Sequence, residues 1–488
     1  MEKVNGKKGK VLLIQPPQIL FNKNFKRCVP PLGIAYIAAV LEKDNFEVKI
    51  LDAYVEGFEN EKLSGDFILV GLDWDEIKRR IKEFNPRFVG VSGMFDTQDK
   101  NVLNTCRIVK EVNPDIKIFI GGSYPTYSTE EVLKIREIDF VVLHEAEYTV
   151  RDLLNRLINN EDISDIPGIG FNQNGEIRIN REIKWIGNLD ELPMPARHLL
   201  PMEKYIKINL PHSPFTMKER VTQMVSSRGC TAKCIFCTSV KFWGDIFRVR
   251  NSKLVVDEIE HLINEYGIEE IHWDDDNFSL DKKNCNEILD EIIRRKLNIK
   301  WATPNGIAVW ALDDALIEKM AKAGCYQLSF AIENANQEFL LKTIKKPLNL
   351  SRVKPLLKKA KECGISVHGF FMIGMPGETK EMMMNTLRFA EETGFDSVSI
   401  HIATPLLRTE LYKICKEQGL LAEDYEVGKN LFKMANIKTK DFTPEELRQL
   451  SQEYMKRINE SLKERDPKLY EMKYEKKSFQ PEPEKIEL

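Results

Sequence analysis

Cys230, Cys234 and Cys237 stand in the run Arg228-Gly229-Cys230-Thr231-Ala232-Lys233-Cys234-Ile235-Phe236-Cys237. A C-x3-C-x2-C spacing puts three thiolates on one tight loop, where they can ligate three irons of a [4Fe–4S] cluster and leave the fourth iron without a protein ligand. An iron with an open position is a place for chemistry. The rival reading is a structural zinc knuckle, but such sites show four ligands in paired spacings, and no fourth Cys or His lies near these three.

The chain has 488 residues, too many for one core, so two large units with extensions are expected. Its 72 Lys and Arg against 75 Asp and Glu give a net charge of −3, with no basic block to track a phosphate backbone, so no nucleic-acid partner is expected. No apolar run is long enough to span a bilayer, and the polar start lacks a signal-peptide core; a cytoplasmic enzyme is expected. The other six cysteines, Cys28, Cys106, Cys285, Cys325, Cys363 and Cys415, are scattered singly and read as reduced packing residues.

Two sets of elements must position the loop. From residue 10 to about 158, β-rich runs alternate with amphipathic stretches, the pattern of a doubly wound parallel sheet. Strands are predicted at 10–15, 48–52, 88–92, 117–121 and 140–143, and helices at 33–43, 74–84, 100–112, 129–135 and 149–157. Ligands of such sheets bind beyond the strand carboxyl ends, where Ser92, Phe95, Gly121, Gly122, Ser123 and Glu145 fall. After a linker at 159–218, strands are predicted at 221–226, 270–273, 300–302, 327–331, 367–373 and 397–401. Helices are predicted between and after them at 254–266, 283–295, 313–323, 352–363 and 380–392. Six βα units suggest a partial (β/α) barrel with its working loops at the strand carboxyl ends, and the cysteine loop follows the first strand. Of the seven histidines, His144, His272 and His401 fall at predicted strand ends; His144 and His401 are weak substrate-site candidates. Residues 416–488 read as a charged helical extension, with the tail from Lys473 disordered.

The cysteine loop resembles the signature of the radical S-adenosylmethionine (radical SAM) enzymes. Further segments extend the resemblance over almost the whole chain, to cobalamin-binding radical SAM proteins. They are Pro30-Pro31-Leu32-Gly33-Ile34-Ala35-Tyr36, Gly121-Gly122-Ser123-Tyr124-Pro125-Thr126, Val141-Val142-Leu143-His144-Glu145-Ala146-Glu147-Tyr148-Thr149 and Leu189-Asp190-Glu191-Leu192-Pro193-Met194-Pro195-Ala196-Arg197. The resemblance implies an α/β protein with an N-terminal Rossmann-like domain of cobalamin-binding type at 1–158. A linker at 159–218, a (β/α)6 radical SAM barrel at 219–415 and a helical extension at 416–488 would follow. It implies that Cys230, Cys234 and Cys237 hold a [4Fe–4S] cluster and that SAM lies against Phe236, Asp275, Asp276, Ser329, Glu333, Gly374, Gly377 and Pro405. In this scheme Asp275 and Asp276 face the SAM amino group and Glu333 the ribose, with Gly374 and Gly377 beside adenine. Cobalamin would lie against Ser92, Phe95, Gly121, Gly122, Ser123 and Glu145. Two departures stand out. The loop Phe95-Asp96-Thr97-Gln98-Asp99-Lys100 lacks the His of the D-x-H-x-x-G motif, and the family's G-E-G-E reads His144-Glu145-Ala146-Glu147, so a narrower cavity is an expectation here.

The activity implied is SAM cleavage to a 5′-deoxyadenosyl radical, followed by cobalamin-dependent methylation of an unactivated carbon, with a low-potential donor such as ferredoxin or flavodoxin. A radical SAM oxidoreductase or cyclase is the alternative; a methylthiotransferase or a non-catalytic cobalamin-binding module ranks lower. The substrate stays open among small molecules, lipids, tetrapyrroles and peptides, and no catalytic acid or base is assigned.

Overall fold

In the computed structural model, the residues described are 6–21, 26–173, 175–213, 215–423, 425, 435–471 and 484–485. The expected disordered tail lies almost wholly outside them. The chain forms two compact units, with the break between Ile208 and Asn209.

The first unit is built on seven strands: β1 (Lys10–Gln15), β2 (Glu47–Asp52), β3 (Phe88–Ser92), β4 (Lys117–Gly121), β5 (Phe140–Val142), β6 (Ile169–Gln173) and β7 (Glu176–Ile179). Their order is β7-β6-β5-β4-β3-β1-β2. β1 to β5 run parallel and carry continuous apolar runs such as Val11-Leu12-Leu13-Ile14, as strands covered on both faces must. β1 has neighbours reached in opposite chain directions, so the sheet's topological switch point lies between β1 and β3. β6 and β7 form an antiparallel hairpin inside the stretch expected as linker, and Leu143 N–H donates to Gly168 O at 2.8 Å as the chain turns back. The helix Met202–Ile208 also belongs to this unit: Tyr205 OH donates to the buried Asp52 carboxylate at the end of β2.

The second unit is an open six-stranded parallel barrel, β8 (Val221–Met224), β9 (Glu270–Trp273), β10 (Lys300–Ile307), β11 (Cys325–Glu333), β12 (Ser366–Ile373) and β13 (Ser397–Ile402), in that spatial order. Alternation sets the two faces. Leu328, Phe330 and Ile332 of β11 are fully buried toward the helices, and Ser329, Ala331 and Glu333 take the other face. Helices such as Ser252–Tyr266 and Lys380–Glu392 start on side-chain caps, Asn251 and Thr379, that accept an otherwise orphan N–H. The C-terminal helix Pro444–Arg465 opens on a capping box between Thr443 and Glu446. It places Leu447 against the Gly374 turn, where a Cβ on Gly374 would meet Leu447 at 2.7 Å.

Candidate active site

The cysteine loop leaves the carboxyl end of β8 under tight backbone constraint. Gly229 has φ +93°, and a Cβ there would stand 2.0 Å from Ile246 O, so only glycine fits. Within the loop Cys237 N–H donates to Cys234 O at 3.1 Å. Ile235 anchors the loop: its N–H donates to Ile344 O at 3.1 Å and its carbonyl accepts from Leu411 N–H at 2.8 Å.

Three consecutive residues beyond β9 hold the loop's approach. The Asp275 carboxylate, 2% exposed, accepts from Ser226 N–H and from the Ser226 and Ser227 hydroxyls. Burial raises its pKa to about 6, opposed by those serine bonds. Asp276, an exposed residue, accepts from Gly229 N–H at 3.2 Å; desolvation around its carboxylate raises its pKa, opposed by bonds from Ser239, Gly229 and Trp243. Asn277, buried, accepts from Ala308 N–H at 3.1 Å and turns its amide toward Cys230 Sγ at 4.0 Å. Of the two aspartates, then, Asp275 is engaged by the serines and Asp276 faces outward.

Glu333 ends β11 at φ +70°, a left-handed conformation that turns its carboxylate back into the unit. There it meets Lys346 Nζ at 3.0 Å, with both side chains under a tenth exposed. The Lys346 ammonium lies 5.6 Å from the Trp310 ring and close enough to Cys234 and Cys237 to lower their thiol pKa values. Burial is the larger effect and raises Cys234 to about 12 and Cys237 to about 11. Lys346 escaped the sequence reading because its partner lies across a helix and a loop.

The Gly374 turn is built around Glu378, which is fully buried. Glu378 accepts from Gly374 N–H at 2.7 Å, Met375 N–H at 3.1 Å and the Asn334 side-chain amide at 2.6 Å, which ties the turn to the residue after Glu333. Burial raises its pKa to about 7. Gly377, at φ +83°, has only Phe339 within reach of a Cβ, at 3.8 Å. Ser329 is buried on β11, where its N–H donates to Thr303 Oγ1; Pro405, beyond β13, accepts from Tyr425 OH at 3.0 Å. Phe236, within the loop and next to Cys237, is half-buried. The structure thus ties Asp275 and Asp276 directly to the approach of the cysteine loop and links Glu333, through Asn334, to the Gly374 turn.

An iron–sulfur group fits this donor set. Three partly buried thiols on one loop are costly to ionise by themselves, and a bound cationic iron core supplies the missing charge.

In the first unit the backbone is closely packed where β3 and β4 end. Gly122 has φ +111°, and a Cβ there would stand 2.5 Å from Gly93 O. Gly121 closes β4, and Ser123 opens the short helix Ser123–Tyr127. Beyond Ser92, Met94 and Phe95 expose 48% and 59% of their surface, an apolar pair suited to a corrin face. Gln98 stands where the absent His would be, and its amide pairs in both directions with the Ile19 backbone, at 2.9 and 2.8 Å. His144 takes the glycine-like φ of +57° and sets its ring edge-on to Trp185 at 5.2 Å. The Glu145 carboxylate accepts from Ile186 N–H at 3.0 Å. A cobalamin-type ligand fits this edge without an imidazole from position 98.

Of the histidines in the barrel, His272 lies inside β9 with Nε2 on Glu270, and the His401 ring packs 5.8 Å from Phe370.

Comparison with known proteins matches residues 20–154 to the B12 binding domain and residues 224–390 to the radical SAM superfamily. The cytidylyl-2-hydroxyethylphosphonate methyltransferase of Streptomyces wedmorensis is 39% identical over 458 residues, covering 88% of this chain and 85% of that protein. The anaerobic magnesium-protoporphyrin IX monomethyl ester cyclase of Rubrivivax gelatinosus is 28% identical over 389 residues, covering 79% of this chain and 66% of that protein. Among solved structures, the cobalamin-dependent S-adenosylmethionine radical enzyme OxsB, with aqua-cobalamin and S-adenosylmethionine bound, superposes with a TM-score of 0.71. It is 17% identical, covering 92% of this chain and 66% of that chain.

Proposed function

The chain belongs to the radical SAM enzymes that carry an N-terminal B12-binding domain, and from that premise we propose that it methylates an unactivated carbon of a small molecule. The observation that carries the reading is the cysteine loop at the carboxyl end of the first barrel strand, held there by Asp275, Asp276 and Asn277.

Cys230, Cys234 and Cys237 would hold the cluster. Asp276, the more exposed of the two residues, is the acid that would receive the SAM ammonium, because Asp275 is 2% exposed and its carboxylate carries the Ser226 and Ser227 bonds. Glu333 would face the ribose hydroxyls, with Lys346 holding its charge in a buried setting. The Gly374–Glu378 turn offers backbone to the adenine edge, beside Phe236 and Pro405. Ser92, Phe95, Gly121, Gly122, Ser123 and Glu145 line the edge that would take cobalamin. When bound, these groups supply a low-potential electron, an adenosyl radical source and a methyl carrier. The protein's part is to fix them in place and keep water away.

The electron would come from a ferredoxin or flavodoxin in an anaerobic, reducing cytoplasm. All nine cysteines are free thiols, and no helix among the described residues is long and apolar enough to cross a membrane.

The relative's name supplies the first substrate to try. Anaerobic protein reconstituted with iron, sulfide and cobalamin is incubated with SAM, reductant and cytidylyl-2-hydroxyethylphosphonate. The expected product has gained one CH2, together with 5′-deoxyadenosine and S-adenosylhomocysteine. A product changed only by hydrogen or oxygen would instead favour the oxidoreductase or cyclase reading.

A further inference from the structure

Four consecutive residues leave β9, and only the last three hold the cysteine loop's approach. The first, Asp274, does something else. Ile271 and Trp273 of β9 are 1% exposed on the helix side, where Trp273 stacks on Phe278 at 4.5 Å. By alternation Glu270, His272 and Asp274 form a polar ladder on the opposite face. At its foot Glu270 accepts from Met217 and Lys218 N–H, both at 2.8 Å, and from Tyr326 OH at 2.6 Å. Above it His272 contacts Glu270 through Nε2 and leaves Nδ1 buried without a partner among the described residues. At the top, Asp274 Oδ1 meets His212 Nδ1 at 3.0 Å and the Asn305 side-chain amide at 3.4 Å.

The dyad differs in kind from the ladder below it. The His212 and Asp274 side chains are 28% and 13% exposed, so the pair is sheltered yet reachable. The Asp274 carboxylate can only accept, so Nδ1 donates to it, and in the neutral imidazole Nε2 is left as an acceptor. Among the described residues Nε2 has no partner. A second feature points the same way: the register of β10 shifts between Thr303 and Ile307, and this irregularity carries Asn305 out to the same carboxylate. Bulges of this kind re-aim side chains next to active sites.

Resting on the function proposed above, we propose that His212, oriented by Asp274, accepts a hydrogen bond from a hydroxyl group of the substrate and so selects hydroxylated molecules. His212 is the contacting residue, Asp274 the positioning one. In the neutral form Nε2 offers no donor to a phosphate or phosphonate oxygen, so the group it recognises is itself a donor. Methylation at a carbon bearing a hydroxyl would use this contact directly.

The test compares cytidylyl-2-hydroxyethylphosphonate with its deoxy analogue, cytidylyl-ethylphosphonate, on reconstituted holoenzyme. Dissociation constants are read by titration calorimetry without reductant, and 5′-deoxyadenosine is measured separately with reductant. The wild type should bind the hydroxylated ligand about tenfold more tightly, the value of one well-made hydrogen bond. His212→Asn keeps a donor for Asp274 and removes the Nε2 acceptor. It should bring the ratio to within about twofold while the affinity for the deoxy analogue and the iron content stay at wild-type values. If His212→Asn keeps the wild-type ratio, the dyad only pins the segment before β8 and the proposal is overturned. A wild type that makes 5′-deoxyadenosine but shows no hydroxyl preference overturns this inference alone; one that makes none overturns the enzyme reading and this inference with it.

Discussion

Lys346 Nζ lies 3.0 Å from Glu333 Oε1, with side chains 6% and 9% exposed, so one buried ion pair joins the end of β11 to the loop beyond the helix Gln337–Lys342. Removing one partner of such a pair strands the other charge in a poor solvent. Lys346→Met should therefore destabilise the apoprotein by about 3–5 kcal/mol, and Lys346→Met with Glu333→Gln should recover much of that loss. Urea unfolding followed by tryptophan fluorescence checks both. An unshifted midpoint for the single variant would show that the pair contributes little.

Gly229 sets the entry to the cysteine loop. Gly229→Ala forces a left-handed alanine, about 1–3 kcal/mol of strain, on top of a collision with Ile246 O. Iron per chain after reconstitution is expected to fall severalfold. Gly394→Ala is the control: its φ is +91°, but nothing lies within 4 Å of the added Cβ, so iron content should hold. Equal iron in both variants would sink the steric argument.

The Glu378 clamp joins the Gly374 turn to Asn334. Glu378→Ala leaves two backbone N–H groups and an amide without their acceptor, at about 1–3 kcal/mol for each one that stays buried. The expected result is a lower thermal midpoint and a SAM KM raised several-fold in deoxyadenosine formation. Glu378→Gln, which keeps an acceptor oxygen, should be milder. Matching KM values for Glu378→Ala and the wild type would detach the turn from SAM.

Asp52 gives a pH signature in the first unit. Burial raises its carboxyl from 3.8 to about 6, against the Tyr205 and Val55 bonds that lower it; Cys28 and Glu56 stand nearby. A raised carboxyl binds its proton more tightly in the folded state. Its contribution is thus fullest below the unfolded pKa and is lost as pH rises through about 6, by about 3 kcal/mol in all. Asp52→Asn cannot titrate and keeps an oxygen for Val55 N–H. The stability difference, wild type minus Asp52→Asn, should fall between about pH 4 and pH 7 and then level off. A difference that is flat across that window would contradict the assignment.

Much of the fold was legible because buried parallel strands announce themselves as apolar runs. β1, β3, β4 and β9 begin and end at the residues the sequence indicated. The hairpin β6–β7 lies in the stretch expected as linker, although Asn174-Gly175 between two β-rich runs is a hairpin signal. The cysteine loop was legible because its ligands are local. Lys346 and Glu378 were not: each acquires its role from a partner brought in by the barrel, Glu333 for one and Asn334 for the other. His212 was hidden for the same reason, in an irregular segment 62 residues from Asp274. Asp275 and Asp276 were found as an acidic run, but the serines and Gly229 that divide their work are visible only in three dimensions.

The central claim is that the loop of Cys230, Cys234 and Cys237 holds a [4Fe–4S] cluster with one iron open to SAM. The most direct measurement is 5′-deoxyadenosine formed from SAM under strong reductant by anaerobically reconstituted protein, beside the Cys234→Ala variant with its iron content. The account predicts deoxyadenosine from the wild type and none above background from the variant. Equal deoxyadenosine from both, or zinc in place of iron in the wild type, would contradict it.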